Sequence, residues 1–499
     1  MRVAAAALLG ALHTPAYSDP QRLWPLSVVA VTALVVLLRT STPGRATLIG
    51  LAFGTGWLGA GVWWLFVSMH RYGNLPAWMA AAAVAALSVA LSLYLALACA
   101  AWARWRPGRP WHDALLFAAL WLLAELARGV LFTGFPWVAS GYALVDAPLA
   151  GLAPWIGVYG MGALLAFAAA LVGGLVGCRG RACWGRLGAV AAVLLAPAGL
   201  AALHFTEPAG RVSVSLVQTD VAQDEKFTPA RMPGLLAALG EQVRRARGQL
   251  VVAPETAVPL LPSQLAALAP DWWAAHLEPI ARSGRAALIG VPLGDFEHGY
   301  TNSVAGVQAG APYRYDKHHL VPFGEFIPTG FRWFTERMGI PLGDFARGPL
   351  RAPAFQALGQ RFGPNVCYED LFGEELAARF TDPAQAPTVL VNLSNIAWFG
   401  DTVALPQHLH ITRMRTLELE RPMLRATNTG VTAIVDHRAR VVARLPAFRP
   451  GVLEGEVEGR QGLTPYARWA GAYGLWPLAL AALALALLVA RAGGPRPAP

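Results

Sequence analysis

Lysine is almost missing from this chain. Only Lys226 and Lys317 occur among its 40 basic residues, so chemistry that needs an ammonium group has two candidates. Charge as a whole is scarce: 14% of residues are charged, against about a quarter in ordinary soluble proteins. The deficit is concentrated in residues 1–204 and 473–491, and 205–470 has the composition of a globular domain. That split excludes a fully soluble chain. Cysteine is limited to Cys99, Cys178, Cys183 and Cys367. Residues 205–470 contain neither a cysteine cluster nor a His-Glu-x-x-His motif. Adjacent His318 and His319, and His408 with His410, do not share a helix face, although a strand could present the latter pair. Neither a metal nor another cofactor is therefore expected. The net charge of +10 comes from arginines, many in short loops between apolar runs. There they set membrane orientation, so no nucleic-acid partner is expected.

A membrane span needs roughly 20 apolar residues. Such runs lie near 3–17, 24–38, 46–68, 77–102, 112–133, 155–177 and 185–203, with an eighth at 473–490. Arginines fill alternate loops: Arg39 and Arg45; Arg104, Arg106 and Arg109; Arg179, Arg181 and Arg186; then Arg491 and Arg496. The positive-inside rule puts those loops and both termini in the cytoplasm and residues 205–470 on the opposite side. Glu125 and Arg128, at i and i+3 within the fifth span, share a helix face. They form either an ion pair between helices or a contact for a lipid headgroup.

Residues 205–470 alternate strand-like runs (211–218, 250–253, 286–291, 388–392, 430–435) with helix-like ones (233–247, 405–419), the pattern of a layered α/β domain. Three strand ends carry unusual residues. Val-Val-Ala-Pro precedes Glu255, Tyr315-Asp316 precedes Lys317, and Asn365-Val366 precedes Cys367. Cys367 is the sole cysteine of this block, so it is either an inert buried thiol or a nucleophile. A thiol attacks as its thiolate. Glu255 can take the proton, and Lys317 with a backbone N–H just after Cys367 can stabilise the charge on an attacked carbonyl. A Cys-His pair is a weaker alternative.

These segments resemble the nitrilase superfamily, which uses Glu, Lys and Cys in this chain order. The whole layout of spans, domain and final span resembles the apolipoprotein N-acyltransferase family. The pieces that carry the resemblance are 132–137, Pro254-Glu255-Thr256, Lys317 with Pro322-Phe323-Gly324-Glu325, Cys367-Tyr368-Glu369, 395–400, 406–408 and 425–430. The resemblance implies a multi-span α-helical membrane domain (1–204), an α-β-β-α nitrilase-like sandwich (205–470), and a final span with a cytoplasmic tail (471–499). It implies Glu255 as base, Lys317 as oxyanion stabiliser and Cys367 as nucleophile. Glu325, Tyr368 and Glu369 would support them, and Phe227, Phe323, Trp398 and Phe399 would line a lid. It further implies a bacterial inner-membrane enzyme with its catalytic domain in the periplasm. An acyl chain would pass from a membrane phospholipid, through a cysteine thioester, to the N-terminal amine of a diacylated apolipoprotein. A membrane-tethered amidase is the alternative enzyme, and a transporter or scaffold with an inert domain the non-enzymatic one. Two positions depart from the family pattern: Phe227 stands where Trp is common, and Ile396 where Asp is favoured.

The arginine pattern generates the first prediction. A cysteine probe placed near Gly299 should react with a membrane-impermeant reagent added to intact spheroplasts. Labelling only after the membrane is broken would reverse the orientation.

Overall fold

The computed structural model describes residues 1–330, 332 and 344–492; the expected tail beyond 492 lies outside them. The first two hundred residues form helices α1 (Arg2–Leu12), α2 (Pro20–Leu38), α3 (Pro43–Gly61), α4 (Ala77–Trp105), α5 (Pro110–Val130), α6 (Ala153–Gly173) and α7 (Arg181–Leu195). Among the described residues, five helices are long and apolar enough to cross a membrane, or up to seven when each of two bent pairs counts as one span. The bends are 62° after α3 and 91° between Pro465–Tyr473 and Trp476–Ala492. The first expected span is shorter than the apolar run suggested. Its helix stops at Leu12, a 3-10 turn takes over at Thr14–Tyr17 with Pro15 in its first turn, and 11 residues remain. At about 1.5 Å per residue that covers about half the hydrocarbon thickness.

Small residues let α1 and α3 touch backbone to backbone. A Cβ on Gly10 would lie 1.9 Å from the Phe53 carbonyl oxygen, and one on Gly56 would lie 1.9 Å from that of Ala7. This is how helices associate where lipid removes the hydrophobic incentive.

Downstream, among the described residues, twelve strands make two six-stranded sheets, in the orders β12-β1-β2-β3-β4-β5 and β11-β10-β9-β8-β7-β6. The first holds β1 (Thr206–Gln218), β2 (Leu250–Ala253), β3 (Ala286–Asp295), β4 (Gly299–Val307), β5 (Tyr313–Asp316) and β12 (Gly451–Gly462). The second holds β6 (Phe355–Ala357), β7 (Gln360–Val366), β8 (Val389–Ser394), β9 (Met423–Thr427), β10 (Ala433–Val435) and β11 (Val441–Arg444). Strand alternation builds the layers. Leu250 and Val252 point to a core shared with Val366, Val391 and Leu424 of the other sheet. Val251 and Ala253 point the other way, onto Leu236, Leu239 and Val243 of α8 (Met232–Arg245). On the far side, Leu390 and Met423 meet Leu376, Phe380 and Leu419. The result is an α-β-β-α sandwich.

The parallel pairs β1-β2-β3 and β7-β8-β9 direct several strand ends to one edge. Open α/β sheets bind ligands at the carboxyl ends of their parallel strands. Glu255 follows β2, Cys367 follows β7, Asn395 follows β8 and Asn428 follows β9. Lys317 follows β5, whose antiparallel partner β4 carries Asn302.

Helix α9 (Ala404–Leu419) joins the two parts. Its Glu418 accepts a 2.7 Å hydrogen bond from the Val158 N–H, just past Gly157, whose φ of +63° interrupts α6. Tyr368, Leu371 and Phe372 share one apolar core with the membrane helices.

If the α1–α3 contact holds the bundle, Gly56→Leu should lower the melting temperature of detergent-solubilised protein by several degrees, since overpacking costs about 1–3 kcal/mol. Gly44→Leu, where a Cβ meets nothing within 4 Å, should not. Equal melting of the two variants would remove this contact from the stability of the bundle.

Candidate active site

Lys317 is fully buried. A buried ammonium needs partners, and its Nζ donates to Glu325 Oε1 at 2.9 Å and to Glu255 Oε1 at 3.4 Å. Burial alone would pull its pKa down; Glu325 and then Glu255 outweigh burial and hold it above the ordinary lysine value. Asn302 Nδ2 donates to both carboxylates, 2.7 Å to each. The remaining oxygens are also occupied: Glu255 Oε2 accepts from the Asn395 N–H (2.8 Å) and Glu325 Oε2 from the Val321 N–H (2.8 Å). Each carboxylate is thus fixed at both ends. Lys226, the other lysine, is also buried and donates from Nζ to the Glu255 carbonyl oxygen at 3.0 Å. Burial pushes its pKa down to about 8, with Glu255 and Cys367 opposing.

Cys367 follows β7 with φ of +51°, a left-handed conformation that costs a non-glycine residue on the order of 1–3 kcal/mol. The turn that follows is held by Glu369. Its Oε1 accepts from the N–H groups of His318 (2.7 Å) and His319 (3.1 Å), and its Oε2 from the Val366 N–H (2.6 Å) and the Tyr315 hydroxyl (2.8 Å). One buried carboxylate therefore ties the Cys367 turn to the segment after Lys317. Burial raises the Glu369 pKa. Tyr368 donates its hydroxyl to the Gly134 carbonyl oxygen at 3.1 Å. The thiol pKa is pushed up to about 12, first by burial and then by the charge of Glu255, against the pull of Lys317.

The four lid residues expected from the sequence occupy two settings. Phe227, Phe323 and Trp398 are exposed, on loops that also carry Lys226, Glu325 and Asn395. Trp398 stands edge-on to Tyr72 of the membrane part, with ring centroids 5.7 Å apart. Phe399 is instead wedged between Trp64 (4.2 Å) and Trp137 (6.3 Å), so it belongs to the seam with the membrane part rather than to an exposed shield. Ile396 is buried. Its polar neighbour Asn395 links the first loop to β9, donating to Gln223 Oε1 (2.8 Å) and accepting from Asn428 Nδ2 (3.0 Å). The paired charges of α5 do structural work. Arg128 Nη1 donates to the carbonyl oxygens of Phe135 and Trp137 (both 2.8 Å), and Glu125 accepts from the backbone N–H (2.7 Å) and hydroxyl (2.6 Å) of Ser140. They fold the aromatic segment 132–140 that Tyr368 rests on.

Comparison with known proteins now supplies the family. Residues 8–171 match the apolipoprotein N-acyltransferase N-terminal domain, and residues 213–466 match the carbon-nitrogen hydrolase family. The apolipoprotein N-acyltransferase of Verminephrobacter eiseniae is 52% identical over 95% of this chain and 92% of its own length. That of Ralstonia nicotianae is 46% identical over 98% of this chain and 94% of its own. The chain belongs to the apolipoprotein N-acyltransferase family. Among solved structures, an amidase of the nitrilase superfamily from Nesterenkonia aligns over 53% of this chain and 96% of its own, at 18% identity and a TM-score of 0.38. As a family member, this protein is an N-acyltransferase that joins membrane helices to a nitrilase-like domain.

Sequence reasoning did not single out Asn302, the bidentate donor between the two carboxylates. Nor did it find Lys226 as a site residue, although the rarity of lysine was a signal for it. His408, whose Nε2 lies 3.3 Å from the Cys367 carbonyl oxygen, enters the sequence reading only as a candidate metal ligand. Among the described residues no group of three or more His, Cys, Asp or Glu is arranged to hold a metal ion.

The raised thiol pKa has a direct consequence. Cys367 rests protonated, and its thiolate fraction grows with pH up to about 12. The rate of alkylation by iodoacetamide should therefore keep climbing from neutral pH to pH 10. A plateau below pH 9 would place the thiol near the ordinary value of about 8.5 and contradict the burial of its charge.

Proposed function

We propose that Cys367 is the acyl-carrying nucleophile of this N-acyltransferase, with Glu255 as its base and Lys317 as its oxyanion stabiliser. The observation that carries the reading is a half-buried cysteine on a strained turn. It lies in the field of a buried Lys317–Glu255 pair, and its neighbour Tyr368 rests on the membrane part. Glu255 takes the thiol proton as the sulfur attacks an ester carbonyl of a membrane phospholipid. Negative charge collects on the carbonyl oxygen, where Lys317 and a backbone N–H meet it. The C–O bond breaks, the lysophospholipid alkoxide receives the proton from Glu255, and the acyl group remains as a thioester. The free N-terminal amine of a diacylated lipoprotein then attacks. It loses a proton to Glu255, the C–S bond breaks, the thiolate is reprotonated, and an amide is left.

The membrane part serves this chemistry because both substrates keep their chains in lipid. Extracting a chain would cost about 0.8 kcal/mol per CH₂. The exposed rings of Phe227, Phe323 and Trp398 are the proposed shield, and closing them over the thiol would exclude water. We place the enzyme in a bacterial inner membrane, with this domain on the periplasmic side, on the strength of the arginine-rich loops.

One experiment tests the reading. Purified protein is mixed with phosphatidylethanolamine and followed by intact mass. Wild type should gain one acyl group on Cys367, and Glu255→Gln and Lys317→Met should each slow that gain by about 10²-fold or more. The thioester should persist for minutes in buffer and discharge quickly onto a diacylated lipopeptide, but not onto its N-acetylated form. Discharge to water at the same rate without an amine would make the protein an amidase-like hydrolase instead.

A further inference from the structure

Behind the nucleophile lies a buried polar cluster that the mechanism above leaves without a role. The carbonyl oxygen of Cys367 accepts from two side chains, Asn392 Nδ2 at 3.2 Å and His408 Nε2 at 3.3 Å. Both donors are fully buried, as are Arg425, Asp370 and Thr412 around them.

One residue, Arg425, decides how both donors point. A guanidinium has only N–H groups to offer. Its Nη2 lies 2.7 Å from His408 Nδ1, so Nδ1 must be the accepting nitrogen and the imidazole proton must sit on Nε2. That proton faces Asp370 Oδ1 at 2.9 Å and the Cys367 carbonyl. Burial, followed by the charge of Arg425, lowers the His408 pKa, which keeps the ring neutral. Arg425 Nη1 also donates to Asn392 Oδ1 at 3.3 Å, which fixes the orientation of that amide and turns its Nδ2 toward Cys367. Asn392 Nδ2 donates in addition to Asn365 Oδ1 at 2.6 Å, and Asp370 Oδ2 accepts from Thr412 at 2.7 Å, so the cluster closes on itself.

The carbonyl that is gripped belongs to the same peptide unit as the Tyr368 N–H. A trans peptide is planar, and its C=O and N–H point in opposite directions. Fixing the oxygen from behind therefore fixes where the N–H points in front. A residue at φ of +51° needs such restraint, because the unrestrained turn would relax toward an ordinary backbone conformation.

We infer that His408 and Asn392, both oriented by Arg425, are positioning residues that pin the Cys367 carbonyl and thereby aim the Tyr368 N–H at the developing oxyanion. The grip has a link to the membrane part. Gln407, beside His408 on α9, accepts at Oε1 from the indole N–H groups of Trp64 (3.1 Å) and Trp137 (2.8 Å), and donates to the Gly61 carbonyl oxygen (3.1 Å). The helix that pins the nucleophile is therefore seated on the membrane part by the adjacent residue.

The inference rests on Cys367 being the acylated thiol, and two probes separate the ideas. Acylation by a p-nitrophenyl ester requires both a thiolate and an oxyanion donor, whereas alkylation by iodoacetamide requires only the thiolate. In full-length His408→Leu, the acylation rate at saturating ester should fall by about 30-fold or more, with KM within about threefold, as expected when an oxyanion donor is misplaced. Alkylation should stay within about threefold. His408→Gln, whose amide reaches the place of Nε2, should recover acylation to within about fivefold. His408→Asn, which keeps an acceptor for Arg425 but is too short to donate to Cys367, should behave like His408→Leu and replaces it if that variant does not accumulate. Full-rate acylation in the Leu or Asn variant would overturn the pin. So would equal losses of acylation and alkylation with no recovery by Gln, which would mark His408 as merely structural. Absence of an acyl adduct on wild-type Cys367 would overturn the nucleophile reading itself and the pin with it. A normal wild-type adduct confines any failure to His408.

Discussion

A fully buried ammonium governs this site. Lys317 has no solvent-exposed surface, and an isolated charge in such a place would be neutralised rather than tolerated. The carboxylates of Glu255 and Glu325 keep it charged, and they in turn would repel each other without the two N–H bonds from Asn302. Removing one member of a buried charged set leaves the others uncompensated, at a cost of about 3–5 kcal/mol. This explains why every carboxylate oxygen in the set has its own donor, and why those donors come from different elements. Asn302 comes from β4, Asn395 from the end of β8, and the Val321 N–H from the segment after Lys317. The charge network thereby draws its donors from both sheets. The chain's other lysine meets the same residue from the backbone side, on the Glu255 carbonyl. In a protein that elsewhere uses arginine, both lysines converge on Glu255. A lysine is a compact charge whose pKa responds to its surroundings, unlike the planar, permanently charged guanidinium of arginine.

The arginines do a different task, which also depends on their chemistry. Arg128 uses its fork of donors to fold the 135–137 carbonyls against α5, and Arg425 uses its own fork to orient His408 and Asn392. The first shapes the loop on which Tyr368 and Gln407 rest. The second holds the peptide that follows the thiol. A continuous set of hydrogen bonds therefore runs from a charge pair inside a membrane helix to the Cys367 turn. The catalytic domain is not simply tethered to its membrane part, since the core around Tyr368, Leu371 and Phe372 is completed by membrane helices.

Much of this was readable from the residues, and the exceptions have physical causes. Apolar runs located the long helices, and β-branched runs located β2, β3 and β8, because both follow simple periodicity. Strand β4 escaped notice because Thr301, Asn302 and Ser303 make its centre polar. They are buried for their hydrogen bonds to Asp316 and the two carboxylates, not for hydrophobicity. Asn302 was hidden with it. The first apolar run read as a span because composition does not register where the helix gives way to a 3-10 turn at Thr14–Tyr17. Phe399 and Trp398 are neighbours of similar character, yet one is in the seam and the other exposed. The tight 3-10 turn at Ala397–Phe399 separates them, and no sequence pattern states which side each ring takes.

The placement of the site also bears on why an amine, rather than water, would resolve a thioester here. Cys367 is half-buried and burial dominates its thiol pKa, so its surroundings solvate charge poorly. Neutral water is a much weaker nucleophile than an amine, and hydroxide would have to enter that environment as an anion. In the proposed mechanism, a neutral amine carried on a lipid-anchored chain would arrive without charge and develop it only in the transition state, where Glu255 would take its proton. Holding both proposed substrates in the bilayer would raise their local concentration at the thiol without drawing either chain into water. In the proposed mechanism, selectivity for the amine would follow from the same low-polarity surroundings that force Lys317 to keep two carboxylates, together with the rings that would close over the thiol.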